Sequence, residues 1–374
     1  MNVLIDRRKF LGTVGSLLAW FAIPTVAQSD PRDDTGDRRK KSAADDQQPP
    51  RDRLAVAGMA LGEIPFTFTV TADSHLDYNT DRELYQRTLI TAAADKPAFH
   101  VDLGDTFMSE KHTNRASAVL QYLDQRRYFD LLKVPVHLVN GNHDGESGWY
   151  LDGTTNNLAT WSRAMRRRYF LEPLVSDSRA YYSWEHGNSL FIVLDPYWFT
   201  PRQRRDDDNW IRTLGTEQYQ WLKRTLETSK ATFKFIFIHQ LVGGLDRAGR
   251  GGVEVAPFFE WGGKNLDGKD LFKEKRPNWA MPIHSLLVKN HVNILFHGHD
   301  HLYAKQDLDG IVYQEVPQPG DPRGSTRSAD EYGYKTGTIR ASSGYMRVTV
   351  SVTQTHVEYV HPDQSVAHSY IIQP

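Results

Sequence analysis

The 374-residue chain contains no cysteine. Disulfides, thiolate metal sites and cysteine nucleophiles are therefore excluded. Any metal must be held by His, Asp, Glu, Asn or backbone oxygen. Neither sign of charge dominates: 45 Lys plus Arg face 46 Asp plus Glu, a formal net charge of -1. No basic excess points to nucleic acid as a partner. Long apolar runs are missing too. The apolar stretch at residues 12–27 has 16 residues, short of the ~20 that a spanning helix needs, so no stable membrane span is expected. What is present is an ordinary globular mix, 39% hydrophobic and 24% charged, with 15 histidines. That mix excludes collagen-like, coiled-coil and wholly disordered chains and makes the histidines the stock to examine.

The first residues read as an address. Arg7-Arg8-Lys9-Phe10-Leu11 resembles a twin-arginine export signal. The apolar stretch follows, and Thr25-Val26-Ala27 offers small residues for cleavage. This resemblance implies that residues 1–27 are an export signal handled by the twin-arginine machinery during secretion, and that the protein is periplasmic or extracellular. Residues 29–53 hold almost no apolar side chain. They cannot offset the entropy of ordering, so 28–58 is expected to be a disordered linker and 59–374 the folded domain.

Within that domain the pattern alternates. Strands are expected at 66–72, 97–103, 134–139, 232–238 and 292–296, with a hairpin at 180–185 and 189–194. Helices are expected at 81–94, 115–132 and 158–169, and at 216–228 with Thr216 as N-cap. Later strands are expected at 311–316, 345–352 and 356–360. Alternating strands and helices followed by a strand-rich end argue for a layered α/β fold.

Five polar motifs fall just past predicted strands: Asp73-Ser74-His75, Gly104-Asp105, Gly141-Asn142-His143-Asp144, His239, and Gly298-His299-Asp300-His301. The carboxyl ends of strands are where open α/β sheets bind ligands. Singly these motifs are weak; five in this order are not accidental. Mixed N and O donors of this kind suit several divalent metals.

The set resembles the calcineurin-like metallophosphoesterase superfamily. The resemblance implies a four-layer sandwich of two mixed β-sheets flanked by helices. It implies hydrolysis of small phosphate esters, as a phosphatase or phosphodiesterase, with a metal-bridging hydroxide as nucleophile. It also implies two divalent metal ions, of Fe, Mn, Zn or Ca. Asp73, His75 and His301 would hold one ion; Asn142, His239 and His299 would hold the other; Asp105 would bridge them. His143 is similar to the family's general acid, and Asp144 would orient it. The alternative is a non-catalytic metal-binding scaffold of the same fold. Met108 stands where purple acid phosphatases carry a Tyr, so no purple colour is expected. His297 is expected beside the site as a partner to it. His100, His137 and Asp195 are expected to be structural, and Lys111 and His112 to lie in a solvated loop. Substrate selection is expected from three loops: 145–157; 197–210 with Trp198, Arg202, Arg204 and Arg205; and 240–281 with Arg247, Arg250, Phe258, Phe259 and Trp261.

Overall fold

Phe66, Phe68 and Val70 alternate with Thr67, Thr69 and Thr71 in β1 (Phe66–Thr71). The period of two sends the apolar set to one face and the threonines to the other. The structure is a computed structural model, and it describes residues 64–77, 79–108, 115–146, 169–170, 180–197, 209–211, 213–241 and 250–374. The proposed signal, the linker, most of the expected helix at 158–169, and Lys111 and His112 lie outside the described residues.

β1 is central in a six-stranded sheet of order β13-β12-β11-β1-β2-β3. It runs parallel to β2 (Phe99–Asp102), which runs parallel to β3 (Val136–Leu138). On its other side β1 pairs antiparallel with β11 (Tyr345–Val350), followed by β12 (Thr355–Val360) and β13 (Val366–Ile372). The second sheet has seven strands in the order β10-β8-β9-β7-β6-β5-β4. Its parallel centre is β5 (Ser189–Val193), β6 (Phe233–Phe237), β7 (Ile294–His297) and β9 (Ile311–Glu315). The hairpin partner β4 (Tyr182–His186) closes one side. Antiparallel β8 (Tyr303–Leu308) and β10 (Thr338–Arg340) close the other. Both sheets are mixed, as expected. The strands at β8, β10 and β13 were not legible in the sequence. β13, for one, alternates between exposed and half-buried positions with no fully buried residue.

The sheets pack face to face. Phe68, Val70, Phe99 and Val348 of the first meet Phe191, Phe235, Phe237 and Phe296 of the second. The outer faces are covered by helices. Tyr85 and Leu89 of α1 (Arg82–Ala94) and Phe129 of α2 (Arg115–Phe129) cover the first sheet. Tyr219 and Leu222 of α3 (Gly215–Thr228) cover the second, with Ile283 and Leu286 of the helix Ile283–Lys289. This gives the four-layer α/β sandwich that the sequence predicts.

Two local expectations are corrected. α1 starts where expected, its N-cap Asp81 accepting from the backbone of Glu83 (3.0 Å) and Leu84 (2.9 Å). α3, however, is not capped by Thr216. Its entry is held from a distance: Glu260 accepts from the Leu214 N–H (2.8 Å), the Thr213 hydroxyl (2.7 Å) and Arg276 Nε (2.8 Å). Thr216 Oγ1 instead accepts from Trp279 Nε1 (3.2 Å). The second correction concerns 240–281. From residue 250 on, the segment is built into the outer core, where Phe259 and Trp261 are buried among the apolar residues beneath the second sheet. Trp261 Nε1 donates to the Tyr313 hydroxyl (2.9 Å). These rings are packing groups, not a platform for substrate.

Candidate metal centre

The five motifs follow β1, β2, β3, β6 and β7, which lie in two different sheets but end at the same edge of the sandwich. Close approach there needs small residues. A Cβ on Gly298 would lie 2.8 Å from both Ala72 Cβ and Asp73 Oδ2, and one on Gly141 would overlap Asp105. The turns are also tight. Asp73, His75, Asp105, His299 and His301 all have positive φ, between 49° and 85°. For non-glycine residues each such conformation costs about 1–3 kcal/mol and persists only where the surroundings impose it.

The surroundings are a set of backbone bonds between motifs. Asp73 N–H donates to Gly104 O (2.9 Å), and His75 N–H to Asp105 O (2.8 Å). His299 N–H donates to Asp73 Oδ2 (2.8 Å), and Gly298 N–H to His239 O (2.8 Å). His143 N–H donates to Asp105 Oδ1 (2.7 Å). Backbone N–H groups thus tie the first motif to the second and fifth, the third to the second, and the fifth to the fourth.

The side chains converge. His301 Nε2 lies 3.5 Å and His75 Nε2 3.8 Å from Asp73 Oδ1. His75 Nε2 is also 3.8 Å from Asp105 Oδ2, and His239 Nε2 is 3.3 Å from it. Asn142 Oδ1 is 3.1 Å from His239 Nε2. Three overlapping groups could each hold an ion: Asp73, His75 and His301; Asp105, His239 and His299; and His75, Asp105 and His143. The first two are the ligand sets expected from the sequence, Asn142 apart, which stands beside His239. The third reflects the nearness of His143, whose Nε2 is 3.9 Å from Asp105 Oδ2.

The donor set fits cations. Asp73 Oδ1 and His299 Nε2 are buried without a hydrogen-bond partner, an arrangement that is unfavourable unless something positive satisfies it. Burial works against ionising the two aspartates, yet His301 and His75 hold Asp73, and His239 and His143 hold Asp105, well below the usual carboxylate range. Burial lowers the His239 pKa, but the adjoining Asp105 carboxylate outweighs it and pushes it up to about 9. Two buried carboxylates thus draw positive charge to this spot. Burial holds His75 and His299 down, so their rings stay neutral and able to ligate. His239 Nδ1–H donates to Leu103 O (3.0 Å), turning Nε2 toward Asp105.

Around this centre the other expected residues find places. Asp144 lies in a wide π-type turn over Asn142–Glu146, a form common at functional sites. Both its carboxylate oxygens are engaged by backbone: Oδ2 accepts from Gly141 (2.7 Å) and Asp105 (3.0 Å), Oδ1 from Phe107 (2.8 Å). Met108 Sδ sits 2.8 Å from His75 Nδ1. His297 Nδ1 contacts Glu315 Oε2 at 2.5 Å, beneath the last motif. His100 is buried between Thr69 (2.8 Å) and Thr71 (2.9 Å), and His137 stacks on Trp184 at 4.1 Å. Asp195 is buried and accepts from Tyr197 N–H (2.9 Å). Arg250, expected to face substrate, points inward to Asp300 (2.8 Å). Of the expected selection loops, residues 147–157 and 198–208, with Trp198, Arg202, Arg204 and Arg205, lie outside the described residues, as does Arg247.

A family model described as calcineurin-like phosphoesterase matches residues 66–303. No curated protein sequence matches the chain. Among solved structures, a purple acid phosphatase from yellow lupin (Lupinus luteus) seeds is 15% identical with a TM-score of 0.56. The match covers 83% of this chain and 54% of the lupin chain, so this chain spans about half the length of that protein. A structure of PhoD is 16% identical with a TM-score of 0.55, over 83% of this chain and 70% of that one. At these identities the likeness is one of fold.

Proposed function

The chain belongs to the calcineurin-like phosphoesterase family, and on that premise we propose that it hydrolyses small phosphate esters at a pair of divalent cations. The observation that carries the reading is the convergence of five motifs from two sheets on one cluster whose Asp73 Oδ1 and His299 Nε2 are buried without a hydrogen-bond partner. Asp73, His75 and His301 would hold one ion, Asn142, His239 and His299 the other, with Asp105 between them. Two such cations supply charge neutralisation and Lewis acidity to a phosphate and lower the pKa of a water.

The chain's own residues do the rest. Asp105 offers one carboxylate to both sets and is fixed on three sides by its bonds to His75, His143 and Asp144. Asn142 brings a neutral carbonyl, which leaves its cation more acidic than a carboxylate would. The His143 side chain is 27% exposed beside an Asp105 that is 1% exposed, so its ring stands at the mouth, where a leaving oxygen departs. There it would act as general acid. Asp144, through its bonds to Gly141, Asp105 and Phe107, fixes the turn that carries His143.

The twin-arginine-like segment at residues 1–27 supports delivery outside the cytoplasm as a folded, metal-loaded protein. The test of function is hydrolysis of p-nitrophenyl phosphate and of bis(p-nitrophenyl) phosphate with Mn²⁺, Zn²⁺, Fe²⁺ or Ca²⁺ added. Turnover of either ester, abolished by chelator, is expected. Two tightly bound ions with no turnover of either ester would instead indicate a scaffold.

A further inference from the structure

The last motif sets the hardest geometric problem in the site. His299 and His301 are two residues apart yet belong to different ligand groups. The turn between them has positive φ at both histidines, 85° and 59°. Asp300, the residue between, points away from the cluster into the protein and is 3% exposed. Its carboxylate is gripped from two directions. Arg250 approaches Oδ1 with Nε (2.8 Å) and Nη2 (2.7 Å), and the Tyr334 hydroxyl donates to Oδ2 (2.9 Å). Arg250 Nη2 also donates to the backbone carbonyl of His299 (2.8 Å). The guanidinium lies over the Tyr332 ring at 3.6 Å, and the Asp300 N–H donates to Glu315 Oε1 (3.0 Å). One arginine from the 240–281 segment therefore holds both the side chain and the backbone of the turn.

We infer that Arg250 is a positioning residue for the metal centre: through Asp300 and the His299 carbonyl it fixes the turn that aims His299 and His301 at two separate cations. The inference rests on the function proposed above. Its chemistry is that of a planar fork. Three N–H directions are used on two acceptors while the flat face rests on an aromatic ring, a combination that lysine cannot reproduce. Groups that orient ligands in this way typically set metal affinity by 10–100-fold. Because the two histidines serve different ions, loss of Arg250 weakens both sites, unlike loss of a residue that supports one ligand.

The experiment is calorimetric titration of the chelator-treated full chain with Mn²⁺ and with Zn²⁺, with elemental analysis of the protein as purified. Arg250→Ala is expected to lose about 10–100-fold in affinity at both sites, and Arg250→Lys to be only partly restored. Arg347→Ala, which breaks a distant ion pair with Asp95 and Glu358, is the control for general destabilisation and should keep the parent affinities. If Arg250→Ala does not fold, Tyr334→Phe decides: removing one hydroxyl from Asp300 should weaken both sites several-fold. Parent-like affinity at both sites in Arg250→Ala, or in Tyr334→Phe should that be the variant that decides, overturns the inference while leaving the two-metal reading intact. A parent protein that binds neither ion overturns the two-metal reading and this inference with it.

Discussion

Asp144→Asn separates two views of the third motif. Read from the sequence, Asp144 adjoins His143 and orients its ring. In the structure its two oxygens take three backbone N–H groups, from Gly141, Asp105 and Phe107. An asparagine can keep its one oxygen on the pair formed by Gly141 and Asp105. Its amide nitrogen then faces the Phe107 N–H, donor against donor. One hydrogen bond to a charged acceptor is lost, worth about 1.5–3 kcal/mol. The site is fully buried, which places the expected loss near the top of that range. For a domain of this size it corresponds to a fall of about 5 °C in Tm, at about 2 °C per kcal/mol. Because Asp105 is one of the three donors, metal affinity should fall as well. The measurements are thermal unfolding in chelator and metal content by elemental analysis. The rate defect should be the same for good and poor leaving groups. A variant with parent Tm and two bound ions, whose defect grows as the leaving group worsens, would refute the argument and return Asp144 to the role of imidazole partner.

Other outcomes follow from the same geometry. His143→Ala should keep both ions yet lose about 10²–10⁴-fold in rate, least with p-nitrophenyl phosphate and most with alkyl phosphates; release of metal would make His143 a ligand. Asp105→Ala should lose more than one metal equivalent per chain, since its carboxylate stands between both sets, and two retained ions would contradict that. Arg7→Lys combined with Arg8→Lys should leave precursor in the cytoplasm, and normal accumulation outside it would dismiss the export proposal.

The sequence was most informative where chemistry and local pattern coincide. β1, β2, β3, β6 and β7 are short apolar strands, and a polar motif at the end of each announces itself as a break in hydrophobicity. Asp73, His75, Asp105, Asn142, His239, His299 and His301 all fall at such breaks, and the structure gathers them. What stayed illegible depends on partners far away in the chain. Glu260 caps α3 across 46 positions, a relation with no periodic signature, so the adjacent Thr216 was the natural local choice. Arg250 and the aromatics of 258–261 lie in a stretch rich in glycine that reads as loop. Only the second sheet and its helices reveal that Phe259 and Trp261 are core. The three backbone bonds to Asp144 likewise come from Gly141, Asp105 and Phe107, two of them more than thirty positions away, and no local pattern announces them.

The pairing of β1 with β11 has a consequence for the order of events during synthesis. Phe66 lies opposite Val350, so the first strand made by the folded domain waits for one of the later ones before its second edge is covered. Closing a loop of that length is slow, and an uncovered edge invites pairing with other chains. All five motifs, through His301, leave the ribosome before Tyr345. A nascent chain therefore carries all five motifs for a time before the first sheet is complete. Completion of the first sheet belongs to the finished polypeptide, and a chaperone that shields the β1 edge during that interval would raise the yield of folded protein.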